Sequence, residues 1–434
     1  MNCQSKAFGG GASVYQKIKG TEDIYGEPMK YWYWIEKKAR DLSIRYGFTE
    51  IRTPIFEETK LFIRSVGQDT DIVQKEMYTF DDKGGRSITL RPEGTAPVVR
   101  AFVENGMITQ GFPQKYFYIG PMFRYERPQS GRQRQFHQFG AEVFGSHSSI
   151  ADAELILFVD HFLKEIGLVD YEIHINTLGD VDDRQRYKEA LKEYYGKHLD
   201  AICDDCKVRY ERNVLRLLDC KLDVEYAKNA PKIIDFLGEA SIKHYEEVKQ
   251  FLDAEGVNYV EDPRLVRGLD YYNKTVFEVH HHKLGAMSAV AGGGRYDGLI
   301  KEIGGKDVPA LGFAAGLERL VLAIKAENVQ VDEIETNLVY IVYLGDFEVK
   351  AEAMKLAEQL RREGIPVGLE LMDRGLSAQL KHAARVGAKL TVIVGESELE
   401  RDVVLVKNME TGEQFEFEKS FVVSGIKDML VEIR

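Results

Sequence analysis

The stretch FRYERPQSGRQRQFHQFGAEVFG, residues 123–145, decides how the first two-thirds of this chain is read. Four arginines, Arg124, Arg127, Arg132 and Arg134, lie between two hydrophobic runs, with Glu142 just beyond. With the preceding QKYFYIG, it reads as two strands joined by the polar loop RPQSGR. Side chains alternate across a strand, so parity sorts the faces. Phe139, Ala141 and Val143 share one face, and Gln138, Gly140 and Glu142 the other. Phe117, Ile119, Pro121 and Phe123 face one way along the first strand, with Arg124 opposite. The hairpin thus predicts an apolar underside and a polar working face carrying Arg124, Gln138 and Glu142. Helices below such a sheet make an α+β antiparallel arrangement.

Outward from the hairpin, Met29–Tyr46 suits an amphipathic helix, and FTEIRTPIFE (Phe48–Glu57) a strand broken by Pro54. SITLRPEGTAPVVRAFVENG (Ser87–Gly106) reads as strand, turn and helix, with Thr95 able to cap the helix. Residues 181–255 are rich in Lys, Glu and Tyr and read as a helical insertion. Strands resume with DPRLVRGLDYYNKTVFEVHHH, then MSAVAGGGRYDGLI as a strand, a glycine turn and a helix start. GFAAGLERLVLAIKAEN ends a strand and opens a helix striped by Leu317, Leu320, Val321 and Ile324. ENVQVDEIETN (Glu327–Asn337) is acidic and aperiodic, a linker; beyond it strands and helices alternate as in a small α/β domain. The expected division is a loose tail at 1–13, a catalytic domain at 14–330 with the insertion, and an α/β domain at 335–434.

The 434 residues carry a formal net charge of -12, which argues against indiscriminate DNA binding but leaves room for a local basic patch. No apolar run reaches membrane-span length, and four cysteines in so long a chain suggest a reducing cytoplasm rather than a disulfide scaffold. His198, Cys203, Cys206 and Cys220 offer one CxxC with a third Cys and a His. Without a second CxxC, and with atypical His spacing, packed thiols are the expectation and no metal site is assigned. His280, His281 and His282 alternate faces and read as surface.

Arginine forks suit phosphate oxygens, so Arg124 fits a nucleotide α-phosphate and the loop arginines an RNA end. Gln138 and Glu142 together suit an ammonium group. Gly268 permits close backbone approach beside Arg267, and Tyr271 and Tyr272 point to opposite faces if that run is extended. GGGR (Gly292–Arg295) lacks the rest of a P-loop and reads as a tight turn. Arg319 lies near a helix start, where terminal phosphates find both a guanidinium and helix amides.

Together these segments resemble the signature motifs of class II aminoacyl-tRNA synthetases. FTEIRTPIFE resembles motif 1, YIGPMFRYERPQSGRQRQFHQFGAEVFG motif 2, and LGFAAGLERL motif 3. GTEDI, LRPEGTAPVVR, LVRGLDYYN and GGGRYDGL resemble the histidyl-tRNA synthetase family, RGLDYY being the histidine-specific signature. The resemblance implies activation of L-histidine by ATP with Mg2+, then transfer to tRNA(His), in the cytoplasm. It implies a homodimer through motif 1 and an anticodon-binding C-terminal domain. It places Arg124 and Arg267 on the α-phosphate and Arg319 on the β/γ-phosphates. Glu93, Thr95, Tyr271 and Tyr272 would line the histidine pocket, and Gln138 and Glu142 would hold the α-amino group. Arg127, Gln129, Arg132 and Arg134 would approach the tRNA acceptor end. A regulatory paralogue of ATP phosphoribosyltransferase, binding histidine without charging tRNA, is the alternative; the intact RGLDYYN and the full C-terminal domain disfavour it.

Overall fold

The computed structural model describes residues 15–68, 70–332 and 338–433, and of residues 286 and 287 the backbone alone. The expected tail at 1–13 and the end of the expected linker, 333–337, lie outside the described residues. The chain divides into two compact units, 1–331 and 332–434.

The first unit is built on an eight-stranded sheet. In spatial order its strands are Thr49–Glu50, Gln114–Phe123, Gln135–Phe144, Ala310–Gly316, Ala289–Arg295, Asn273–His281, Tyr171–Thr177 and Tyr259–Glu261. The central six run antiparallel, and each edge strand pairs parallel to its neighbour. The hairpin has the expected register, with Gly120 opposite Gln138 and Tyr118 opposite Gly140.

Parity holds on the underside. Phe139, Ala141 and Val143 are buried against the helix Ser149–Glu165, whose Phe158 and Phe162 pack edge-on to Phe139. Truncating such a ring to alanine costs about 3–5 kcal/mol. Helices Met29–Arg45, Glu239–Ala254 and Leu317–Glu327 complete this layer, the last through Leu317, Leu320, Val321 and Ile324. Glu239–Ala254 falls in the stretch read as insertion, yet its Tyr245, Val248 and Leu252 belong to the main core.

The upper face differs from the open working face expected. Tyr118, Met122 and Phe144 are buried there beside Val98, Val99 and Phe102 of the helix Thr95–Glu104 and the rings of Tyr271, Tyr272 and Tyr296. Residues from the insertion, among them Tyr187, Leu191 and Leu217, join the same cluster. Both faces are therefore covered, and the working surface is a cavity within the upper layer.

Two local readings are corrected. Gly292–Arg295 are not a turn but the middle and end of the strand Ala289–Arg295. A Cβ on Gly293 would lie 2.2 Å from Gly312 O, so close strand packing demands the glycine. Arg295 is fully buried on Asp152 and the Ser146 carbonyl, away from any ligand role. His281 is not surface: it is fully buried, with Nε2 2.8 Å from Glu327 Oε1.

The second unit carries a five-stranded mixed sheet in the order Val367–Leu369, Val339–Leu344, Leu390–Gly395, Val403–Asn408, Gln414–Glu418. The first three strands are parallel and the last two antiparallel. Helices Phe347–Arg362 and Val422–Ile433 bury Val349, Leu356, Leu360 and Ile426 against it.

Candidate active site

A cavity of about 660 Å³ opens above the hairpin, lined by Arg124, Gln138, Arg267 and Arg319 together with Glu93, Thr95, Tyr271 and Tyr272. Residues from four separated stretches thus meet in one space.

Glu93 sits at the start of the helix Thr95–Glu104 and is 3% exposed. Its carboxylate accepts from the amides of Thr95, at 2.6 Å, and Ala96, at 2.9 Å. The helix is therefore capped by Glu93, not by Thr95 as the sequence suggested. Burial pushes the Glu93 pKa up, while the two helix amides work in the other direction by favouring its charge.

The Thr95 hydroxyl donates instead to Glu142 Oε1 at 2.7 Å, and the Tyr296 hydroxyl donates to Oε2. Glu142 is fully buried behind these two hydroxyls rather than lining the cavity. Burial pushes its pKa up to about 8, against the hydrogen bonds from Tyr296 and Thr95. Gly312 lies opposite Glu142 in the register, and a Cβ there would sit 1.7 Å from Glu142 Oε2. The glycine makes the seat for the carboxylate.

Among the described residues Gln138 Oε1 is buried with no hydrogen-bond partner, although the residue lines the cavity. Such an acceptor carries a desolvation cost of about 1–3 kcal/mol until something donates to it.

Arg124 Nε donates to the Pro92 carbonyl at 2.8 Å, and its guanidinium lies 5.2 Å from the Phe136 ring centroid. Arg267 is held by Glu278, Nη1 to Oε1 at 3.1 Å, and lies 5.8 Å from the Tyr272 ring centroid. Burial works against its charge, but Glu278 and the two tyrosines outweigh it, and its pKa is raised. Its Nε is buried without a hydrogen-bond partner among the described residues. A Cβ on Gly292 would meet this guanidinium at 2.6 Å, so the first glycine of the motif clears space for Arg267. Arg319 Nε donates to Gly131 O at 3.2 Å and Nη1 to Ala289 O. Burial, then the charges of Arg132 and Arg124, lower its pKa.

Tyr271 and Tyr272 do not face opposite ways. The segment before the strand at Asn273 is a turn, so both rings line the same cavity with centroids 4.6 Å apart.

The motif-2 loop is less uniform than its composition. Arg127 and Gln129 are exposed at its tip, and Gln129 and Arg132 pair through their backbones. Arg132 Nε meets Glu126 Oε2 at 2.8 Å on the cavity rim. Arg134 stacks 3.9 Å over the Tyr125 ring, and its amide donates to Gly20 O at 2.7 Å, tying GTEDI to the loop. The sequence reading missed Glu126, Glu278 and Glu318, and the charged wall of Arg209, Arg216 and Lys221 from the insertion. Glu318 had a usable signal, next to Arg319 at the helix start, and Glu278 a weaker one, two strand positions from His280. The insertion residues had none.

The antiparallel sheet with its arginine-lined cavity is the arrangement of a class II aminoacyl-tRNA synthetase. Residues 20–320 match the family model described as histidyl-tRNA synthetase, and residues 338–429 match the anticodon binding domain. The histidine–tRNA ligase of Fervidobacterium nodosum is 82% identical over 97% of this chain and 100% of its own. That of Thermosipho melanesiensis is 62% identical over 96% and 100%. The crystal structure of apo S. aureus histidyl-tRNA synthetase superposes with a TM-score of 0.81 at 40% identity, over 95% of this chain and 99% of that one. The chain belongs to the histidyl-tRNA synthetase family.

Proposed function

We infer that the chain is a histidine–tRNA ligase: it joins L-histidine to ATP, releases pyrophosphate, and passes the histidyl group from its adenylate to the 3′ end of tRNA(His). The observation that carries the reading is the convergence of Arg124, Arg267 and Arg319 on a cavity that also holds Gln138 and Glu93.

The histidine carboxylate attacks the α-phosphorus in line, and the bond to the β-phosphate oxygen breaks. Negative charge grows on the phosphoryl oxygens, where guanidinium donors held in a partly dry site stabilise it. Arg124 and Arg267 take this role, and Arg319 grips the β/γ-phosphates. Gln138 Oε1, buried and unpartnered, accepts from the substrate ammonium. Glu142 supplies negative charge from behind Thr95. Glu93, with Tyr271 and Tyr272, faces the imidazole; a buried acceptor discriminates against analogues lacking its N–H far better than size does. ATP brings its own Mg2+, a hard cation suited to oxygen donors such as Glu126 and Glu318 on the cavity wall.

The loop residues Arg127, Gln129, Arg132 and Arg134 approach the tRNA acceptor end, and the unit from 338 onward reads the anticodon. A second copy packs along the motif-1 segment, where Ile55 and Phe56 are 43% and 51% exposed beside Pro54. The reaction is placed in the cytoplasm; among the described residues no helix is long and apolar enough to cross a membrane.

The decisive experiment is histidine-dependent ATP–pyrophosphate exchange with the purified chain, followed by charging of tRNA(His). Exchange with histidine and not with other amino acids is the expected result. Histidine binding without exchange, combined with restored activity of a phosphoribosyltransferase subunit, would overturn it in favour of the regulator.

A further inference from the structure

Cys203 precedes the helix Asp204–Arg212, Cys206 lies in its first turn, and Cys220 and Asp223 lie just before the helix Val224–Lys228. Their three Sγ atoms and one carboxylate oxygen all fall within 4.8 Å of one another. Cys206 is fully buried, and Cys220 and Asp223 are 8% and 9% exposed. His198, the fourth ligand suggested by the sequence, is not in the group; it packs between Tyr194 and Tyr226, with centroids at 5.0 and 5.1 Å.

A tetrahedral Zn2+ with Zn–S of about 2.3 Å holds its sulfurs about 3.8 Å apart, and with Zn–O of about 2.0 Å a sulfur and an oxygen about 3.5 Å apart. Cys203 Sγ and Cys220 Sγ are 3.8 Å apart, and Cys220 Sγ lies 3.6 Å from Asp223 Oδ2. Backbone amides already point at the donor atoms: Cys203 N–H donates to Asp223 Oδ2 at 3.0 Å and Asp223 N–H to Cys220 Sγ at 3.4 Å. Such outer hydrogen bonds orient metal ligands.

We propose that Cys203, Cys206, Cys220 and Asp223 bind a structural Zn2+ in a closed tetrahedral site. The chain between the ligands carries Arg209, Arg216, Asp219 and Lys221 to the catalytic cavity. The ion clamps the two ends of that segment and so braces one cavity wall. It takes no part in the chemistry.

The test uses the full chain purified under reducing conditions without chelator. Elemental analysis should find about one zinc per chain. Replacement by Co2+ should give the strong visible absorption of tetrahedral cobalt–thiolate, and Cys220→Ser should abolish it. Stripping the zinc should raise the KM for ATP several-fold while leaving most of kcat, and adding Zn2+ back should restore it. Protein incubated with Zn2+, gel-filtered and found metal-free, with all its thiols still reactive, would overturn the proposal. So would a Cys203–Cys220 disulfide persisting in reductant. Both outcomes are read on the unsubstituted chain, so a variant that fails to fold does not blunt the test.

Discussion

The two ends of the catalytic cavity hold charge in opposite ways. At the carboxylate end both groups are already hydrogen-bonded within the protein: Glu93 takes two helix amides, and Glu142 takes the hydroxyls of Thr95 and Tyr296. At the arginine end the cations crowd one another. Arg319 is depressed by burial and by Arg132 and Arg124, and Arg267 keeps a buried Nε without a partner. Glu278 pairs with Arg267 but leaves that Nε donor buried, and an oxyanion would satisfy it. On the proposed reading, the carboxylate end is preformed for a small cation, whereas the arginine end is completed by the triphosphate.

The sharpest way to break this contrast is Arg267→Ala. Pyrophosphate exchange should fall by about 10²–10³, while histidine affinity measured by calorimetry changes less than about tenfold. Equal losses in both would erase the division between the ends.

Glu142 offers a subtler test. With its pKa raised to about 8, it holds a proton in the empty cavity at pH 7. A folded-state pKa raised above the unfolded one adds stability that is fully present below the unfolded value and is lost as pH rises through about 8. An arriving ammonium favours the ionised form, so histidine binding should release a proton near pH 7 and tighten as pH rises toward 8. Calorimetry in buffers of different ionisation heat reads this directly, and Glu142→Gln should remove the release. Identical proton counts for the two proteins would place the charge elsewhere.

The smallest effect belongs to the exposed loop. Arg127→Ala should leave exchange unchanged and weaken tRNA binding only a few-fold. The slope of log affinity against log salt should become shallower by about 1. A change in exchange would move Arg127 from the RNA surface into the cavity chemistry.

How much of this was legible in the sequence depended on range. Parity within the hairpin correctly separated Phe139 from Gln138, because alternation is a property of the strand itself. It also put Glu142 on the right face but could not show that the face is covered there, because the cover comes from elsewhere: Thr95 lies 47 residues away and Tyr296 lies 154 away. Tyr271 and Tyr272 were assigned opposite faces on the assumption of an extended run, and a turn reversed the outcome. The triple glycine looked like a turn because glycine usually marks one; here it marks side chains and strands that need the room. The insertion's arginines and lysine carry no local pattern that distinguishes a cavity wall from a solvated helix.

At Gly292 and Gly312 the substrate pocket owes its shape to atoms that are missing. A single methyl at the first would push aside the guanidinium of Arg267, and at the second it would evict the Glu142 carboxylate. Gly312 does not line the cavity, and Gly292 lines it with backbone alone. On the proposed reading, selectivity for one amino acid is partly encoded in bare backbone, so screening only the side chains around the cavity would overlook it.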